Sequence, residues 1–310
     1  MSFRGFFKFA LLAAQVVVGI ATPLDSKASE ELVQTPAGLF PKSKVHAIPD
    51  GASVHQTSTE VQIIGANSTV LFSVPYTPPT TSKFVGPLLN PASASSNRRD
   101  LQSGYIAYAY WENTASSPIS FLGSNWNVPN TPASWDDQLL YWWNGLVPID
   151  FSGGILQPVL QYGFSPAGGG EYYAIASWWL TGTDIFHTGI TQVSPGTFLQ
   201  GQISLTGTSI SGGVTTYSYS CTFVGFPSTT ISASTTVVLS WVYEALETYG
   251  TVQISDLPTG NTIFSTIDIT LQNGQRPSSL DWTPVSDTTD DITMTVLSTS
   301  SVIGALLITY

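Results

Sequence analysis

From Asp100 to the C-terminus the sequence offers few groups able to do chemistry: one histidine, His187, one cysteine, Cys221, no lysine, and fifteen carboxylates. Ser-His-Asp or Cys-His catalysis and a His-rich zinc site would all rest on that single imidazole, so they are set aside. Gly168-Gly169-Gly170 has neither a GxGxxG pattern nor a following Lys, and reads as a hairpin turn rather than a phosphate cradle. Asp136-Asp137 and Asp287 with Asp290-Asp291 lack EF-hand spacing and read as solvated turns, so no metal and no cofactor are expected. What remains is carboxylate and carboxamide chemistry, carried by Glu112, Glu171, Glu244, Glu247, Gln157 and Gln161. A carboxylate can take a proton from water and return it, and a neutral amide can donate to a developing oxyanion without titrating.

The elements that must position these groups are strands. After Tyr105, short runs rich in Val, Ile, Thr, Tyr and Trp alternate with Gly, Pro, Asn and Ser clusters, and no helical period is sustained. Strands are expected at 104–112, 119–128, 139–146, 155–162, 171–180, 198–206, 215–223, 235–244, 262–271, 292–297 and 302–310. That many strands with short connections predicts an all-β fold, a two-sheet antiparallel β-sandwich. Period-2 reading puts Gln157 and Gln161 on the Ile155 and Val159 side of their strand, and Glu244 on the Val242 side of its own. Gln161 reads as a surface amide. Trp142-Trp143 and Trp178-Trp179 are neighbours, so one of each pair faces away from the core, and an aromatic groove follows.

Charge and processing signals divide the chain into a signal peptide at 1–21, a propeptide at 22–99 and a β-sandwich domain at 100–310. Residues 1–21 carry Arg4 and Lys8 before a short apolar run, which marks a protein secreted to the exterior and free of the membrane once the signal is removed. Asn67-Ser68-Thr69 is the acceptable N-glycosylation sequon, with Asn67 as the acceptor. Arg98-Arg99 follows a Ser/Ala/Asn-rich stretch and predicts cleavage after Arg99. Beyond that point lie fifteen of the twenty acids but one of the nine bases, Arg276, which excludes phosphate neutralisation and hence nucleic-acid binding. Cys221 alone makes no internal bridge, so packing must hold the fold, and a monomer is expected. The propeptide keeps six bases against five acids, and acidification is expected to weaken its hold on the acidic domain. Release indifferent to pH between about 3 and 7 would contradict that expectation.

Ile155-Leu156-Gln157 after Trp143-Asn144-Gly145, the run Gly170 to Trp179, Val193-Ser-Pro-Gly196, and Trp241-Val-Tyr-Glu244 before Tyr249-Gly-Thr-Val252 resemble the fungal glutamic peptidases, the eqolisins. Asn125-Trp-Asn-Val-Pro129 adds to the resemblance, which spans essentially all of 100–310. It implies a concanavalin-like sandwich and a secreted acid endopeptidase acting on protein or peptide substrates. It further implies Gln157 as oxyanion stabiliser and Glu244 as general base and acid. Along the strand that binds substrate in the family, Tyr173 and Ser177 stand where the family has Asp and Glu. The resemblance assigns them, with Trp143 and Trp179, to substrate binding. Pro158 directly after Gln157 and the lack of disulfides are departures. Two other readings stay open: a carbohydrate-binding sandwich without catalysis, and a glycoside hydrolase using Glu244 with a carboxylate such as Glu171.

Overall fold

In the computed structural model, residues 30–77, 101–148 and 154–310 are described; the expected signal segment and the Arg98-Arg99 pair lie outside them. Ahead of residue 100 the strands are β1 (Leu32–Thr35), β2 (Gly38–Pro41), β3 (Val45–Ala47), β4 (Ser53–Gln56), β5 (Glu60–Ile64) and β6 (Val70–Pro75). After it come β7 (Gly104–Glu112), β8 (Ile119–Asn127), β9 (Leu139–Pro148), β10 (Ile155–Ser165), β11 (Gly168–Leu180), β12 (Ile185–His187) and β13 (Thr191–Gln192). The chain continues through β14 (Phe198–Ser211), β15 (Val214–Phe223), β16 (Phe226–Thr235) and β17 (Leu239–Tyr249). It ends with β18 (Asn261–Leu271), β19 (Thr283–Ser286), β20 (Thr293–Ser298) and β21 (Gly304–Thr309).

Nineteen of the strands make the expected two sheets, and β1 and β2 pair as a separate hairpin. One has nine strands in the order β19, β7, β17, β9, β10, β11, β12, β3, with β13 also on β11. The other has ten, in the order β20, β21, β18, β8, β14, β15, β16, β4, β5, β6. Pairing is antiparallel except where the N-terminal segment joins: β3 lies parallel to β12 and β4 parallel to β16. The sequence pattern predicts an antiparallel sandwich that begins at residue 100. Two parallel contacts arise because strands far apart in the chain can meet at a sheet edge through a long connection. The segment expected to be a propeptide thus supplies strands to both sheets, and Glu31–Tyr310 packs as one unit.

Alternation splits the apolar residues between two cores. Leu140, Trp142, Leu146, Leu156, Leu160, Trp179, Val242 and Leu246 point from the nine-stranded sheet toward Leu122, Trp126, Leu199, Ile203 and Cys221 of the other sheet. Tyr141, Trp143, Val147, Ile155, Val159, Trp178, Tyr243 and Ala245 form a second cluster on the outer face. Ala37 and Phe40 of the β1–β2 hairpin, and Val45 of β3, pack over that second cluster. At roughly 1.5–3 kcal/mol for each fully buried Leu, Ile or Phe, such a double core stabilises the sandwich without a disulfide. Cys221 is a free, buried thiol, and burial pushes its pKa up to about 12.

Candidate functional site: two faces of one sheet

Register fixes which side chains can meet. Along one row of the nine-stranded sheet Glu244 pairs with Ala109 and Asn144, and Pro158 pairs with Ser177. The next row brings Tyr110, Tyr243 and Gly145 on β7, β17 and β9, with Gln157 paired to Trp178 and Trp178 to His187. Adjacent rows face opposite sides of a sheet. Glu244 therefore points inward, where it reaches Ser124 on the opposite sheet. Gln157, between Ile155 and Val159, points outward.

Gln157 is fully buried on the outer face, yet neither its amide nitrogen nor its oxygen has a hydrogen-bond partner. A buried amide left unpaired costs about 1–3 kcal/mol, so it marks a position kept for something other than stability. Tyr110, Trp241, Tyr243 and Tyr108 stack along the same face, the first two with ring centroids 5.5 Å apart and planes 8° from parallel. Trp178 carries an unpartnered indole N–H and packs 4.8 Å from the His187 ring. The His187 Nδ1 lies 2.9 Å from the Thr188 carbonyl, which makes Nδ1 the protonated nitrogen; burial lowers this imidazole's pKa against the pull of that carbonyl.

The buried carboxyl group of this face is Glu247. Trp143 Nε1 donates to its Oε1 at 2.7 Å and the Tyr249 hydroxyl to its Oε2 at 3.1 Å. Burial pushes its pKa up to about 8, although those donors and Tyr105 pull the other way. The β1–β2 turn closes over the group: the Tyr105 hydroxyl donates to the Pro36 carbonyl at 3.5 Å, and the Tyr249 oxygen takes the Gly38 N–H. At the sheet's β3 edge, Lys44 and His46 reach the buried Asp184 at 3.3 and 2.8 Å. Burial raises that carboxyl, but the His46 hydrogen bond and the Lys44 charge outweigh it and hold the pKa below the usual range.

Inside the sandwich, Glu244 Oε2 accepts from Ser124 Oγ at 3.2 Å while Oε1 has no partner. Asn144 Nδ2 donates to the Gly201 carbonyl at 3.4 Å, and its Oδ1 is also unpartnered. Glycine is required at 201, because a Cβ there would stand 2.3 Å from Asn144 Oδ1 and 2.8 Å from the Pro158 ring. Ser177 completes the row, buried with its hydroxyl against the Cys221 thiol of the opposite sheet.

These placements revise the sequence expectations. Gln157 and Glu244, which the resemblance pairs as oxyanion stabiliser and general base, lie on opposite faces. A bulge between Leu239 and Trp241 sends Leu239 inward beside Val242, where straight alternation would put it with Trp241. Of the four residues expected to bind substrate, only Trp143 is on the outer face. Tyr173 and Trp179 are core residues between the sheets and Ser177 faces the same way, because Trp178 is the member of its pair that points outward. Gln161 is buried rather than a surface amide: its Nε2 donates to the Gly163 and Gly168 carbonyls at 3.1 and 2.9 Å and clamps the β10–β11 turn. Glu171 is exposed, so it forms no pair with the interior Glu244. Asn67 is exposed in a turn, with the Thr69 hydroxyl donating to its Oδ1 at 2.7 Å. Among the described residues no group of three His, Cys, Asp or Glu side chains converges for a metal.

With that geometry in hand, likeness to known proteins is faint. No protein-family model matches the sequence. No curated protein matches it. Among solved structures the chain is similar to Scytalido-glutamic peptidase with a peptide-based transition state analogue, at 14% identity and a TM-score of 0.44. It is also similar to SCP-B, an eqolisin-family peptidase in complex with the tripeptide Ala-Ile-His, at 14% identity and a TM-score of 0.42. Each alignment covers 67% of this chain and 98% of the other. Likeness this distant assigns no role to any residue.

Proposed function

We propose that this is a secreted protein that binds polypeptide in extended form across the outer face of the nine-stranded sheet. The observation that carries this reading is the Gln157 amide, buried and unpaired on an aromatic face. An extended peptide brings a carbonyl and an N–H at each residue, the two partners that this amide lacks. Support comes from the far end of the same face, which already holds backbone of this chain through Tyr105 to Pro36 and Gly38 to Tyr249.

Hydrolysis of the bound chain at acid pH, in the manner of a glutamic peptidase, is the second reading. Glu247 favours it, as the buried carboxyl on the face that carries Gln157. In that chemistry an ionised Glu247 takes the proton of the attacking water and returns it to the leaving amine, while Gln157 holds a backbone unit of the same bound chain several residues away from the scissile bond. The covered conformation is not the reacting one. Glu247 sits four residues along β17 from the position facing Gln157, about 13 Å at strand spacing, and Trp143 holds it. Removing the β1–β2 turn readmits water, lowers the carboxyl's pKa toward its ordinary value and frees Trp143 to move.

Casein digestion at about pH 4, where an uncovered Glu is partly ionised, separates the readings. Proteolysis lost in both Gln157→Ala and Glu247→Gln but kept in Glu244→Gln supports hydrolysis on the outer face. Peptide binding without cleavage, weakened in Gln157→Ala, supports the binding protein alone. Retention on a glycan column with no affinity for peptide would overturn both in favour of a carbohydrate-binding sandwich.

A further inference from the structure

The inner polar row is not used by the outer face, and it poses a problem that hydrogen-bond chemistry can solve. Glu244 and Asn144 are direct register partners on β17 and β9, side by side and fully buried. Directly opposed side chains have Cβ atoms about 4.5–5.5 Å apart. Each presents an oxygen that lacks a partner, Oε1 of Glu244 and Oδ1 of Asn144. Two bare acceptors cannot satisfy one another, and an ionised carboxylate has nothing to donate.

Flipping the Asn144 amide gives no relief, because its oxygen would then face the Gly201 carbonyl that its nitrogen now meets at 3.4 Å. Nor, among the described residues, does any cation. The groups that face Glu244 are Ala109 on β7, Ser124 on β8 and Asn144 on β9, with Pro158 and Gly201 beside Asn144. Other titratable side chains of this core, Cys221, Tyr162, Tyr173, Tyr219 and Tyr310, have pKa values raised by burial and stay neutral across the working range.

We infer that Glu244 is a proton-dependent lock between the two sheets, its carboxyl keeping a proton that it donates to Asn144 Oδ1 while its other oxygen accepts from Ser124. With the proton in place, β17 is tied to β9 beside it and to β8 opposite. Without it, a charge stands in the apolar interior with one serine hydroxyl for company, and the side-chain link through Asn144 to the Gly201 carbonyl of the opposite sheet is lost. Burial accordingly drives the carboxyl's pKa well above its ordinary value, opposed only by the Ser124 hydrogen bond. The fold is thereby built for acid and loosens toward alkaline pH, independently of whether the outer face binds or cuts peptide.

The sign follows from linkage. Unfolded Glu titrates near 4.3 and the folded group higher, so its stabilisation is complete below about pH 4 and is lost as pH rises through the folded pKa. Each such group makes the folding equilibrium constant fall about tenfold per pH unit in that window. Urea unfolding of the full chain against pH is the test, with Glu244→Gln as the key variant, since its amide supplies the N–H that the acid supplies as O–H. The expected result is a profile about tenfold per pH unit flatter in Glu244→Gln than in the wild type; parallel profiles would overturn the lock. If that variant does not fold, infrared spectroscopy decides in a Glu247→Gln background. A non-ionised carboxyl band at pH 7 that shifts on Asn144→Ser supports the lock, and no such band, or one indifferent to Asn144, overturns it.

Discussion

The outer and inner faces of the nine-stranded sheet carry the same kinds of polar group, an acid and an amide each, in opposite circumstances. Outside, Glu247 is met by Trp143, Tyr249 and Tyr105 under a hairpin that packs on it from the far N-terminal side of the chain, and Gln157 is left with nothing. Inside, Glu244 and Asn144 sit among strands that cannot leave without unfolding the sandwich. The difference teaches that residue type does not decide the role of a carboxyl; the element covering it does. In the proposed reading the N-terminal cover is removed and Glu247 belongs to a latent site, whereas the strands around Glu244 stay and make it a structural group.

The largest effect that separates the faces is expected from charge reversal. Glu244→Lys places an ammonium between the sheets with no partner, which costs several kcal/mol and should leave no soluble folded protein. Glu247→Lys can push aside the β1–β2 hairpin and reach water, so it should fold with a loss of about 1–3 kcal/mol. Equal losses in chemical unfolding would erase the distinction between covers. A milder probe follows. Trp143→Phe removes the 2.7 Å indole donor, and because that donor favours the ionised carboxylate, Glu247 should titrate above its present value of about 8. The same loss should cost about 1–2 kcal/mol at high pH and less below pH 7, where the carboxyl is already protonated. A carboxyl titration followed by NMR reads both.

Much of this arrangement was legible in the residues, and the illegible part has a physical cause. Strand β7 runs over Gly104–Glu112 as alternation predicts, and the Trp pairs do split between faces. Strand β16 escaped notice because Phe226–Thr235 is half exposed and dominated by Ser and Thr, with few apolar residues to mark its period. The opposition of Gln157 and Glu244 escaped for a different reason. Period-2 reading orders residues within a strand, but the pairing of β17 with β9 and of β9 with β10 is a long-range fact that no local pattern states. For the same reason β3 and β4 of the N-terminal segment could not be placed at the sheet edges. Glu247 was visible as a carboxylate, and only the register of β17 reveals that it shares a face with Gln157 and Trp143.

A smaller effect is expected where the removable cover meets the sheet edge. Asp184 holds Lys44 and His46, and its lowered pKa means that this contribution is present above about pH 4 and lost as pH falls through the folded value. Since the Lys44 side chain is 41% exposed, the pair is worth about 1 kcal/mol after screening. Amide protection factors at 45–47, corrected for the intrinsic slowing of exchange in acid, should therefore fall on acidification, and Asp184→Asn should show the low protection already at pH 6. Protection unchanged by both would mean that apolar packing alone seats β3, and the notion of an acid-released cover would fail.

The smallest expected change in stability carries the most information about the outer face. Gln157 makes no hydrogen bond while fully buried, so replacing it by Met, similar in length and without polar atoms, should be neutral or stabilising by about 1 kcal/mol. A residue retained at a cost to stability is what a binding position looks like, and the same variant should weaken peptide affinity about tenfold by removing both partners of a backbone unit. Destabilisation by Gln157→Met would show that the amide serves the fold through bonds formed in solution. The contrast between a latent outer face and a structural inner one would then collapse into two structural faces.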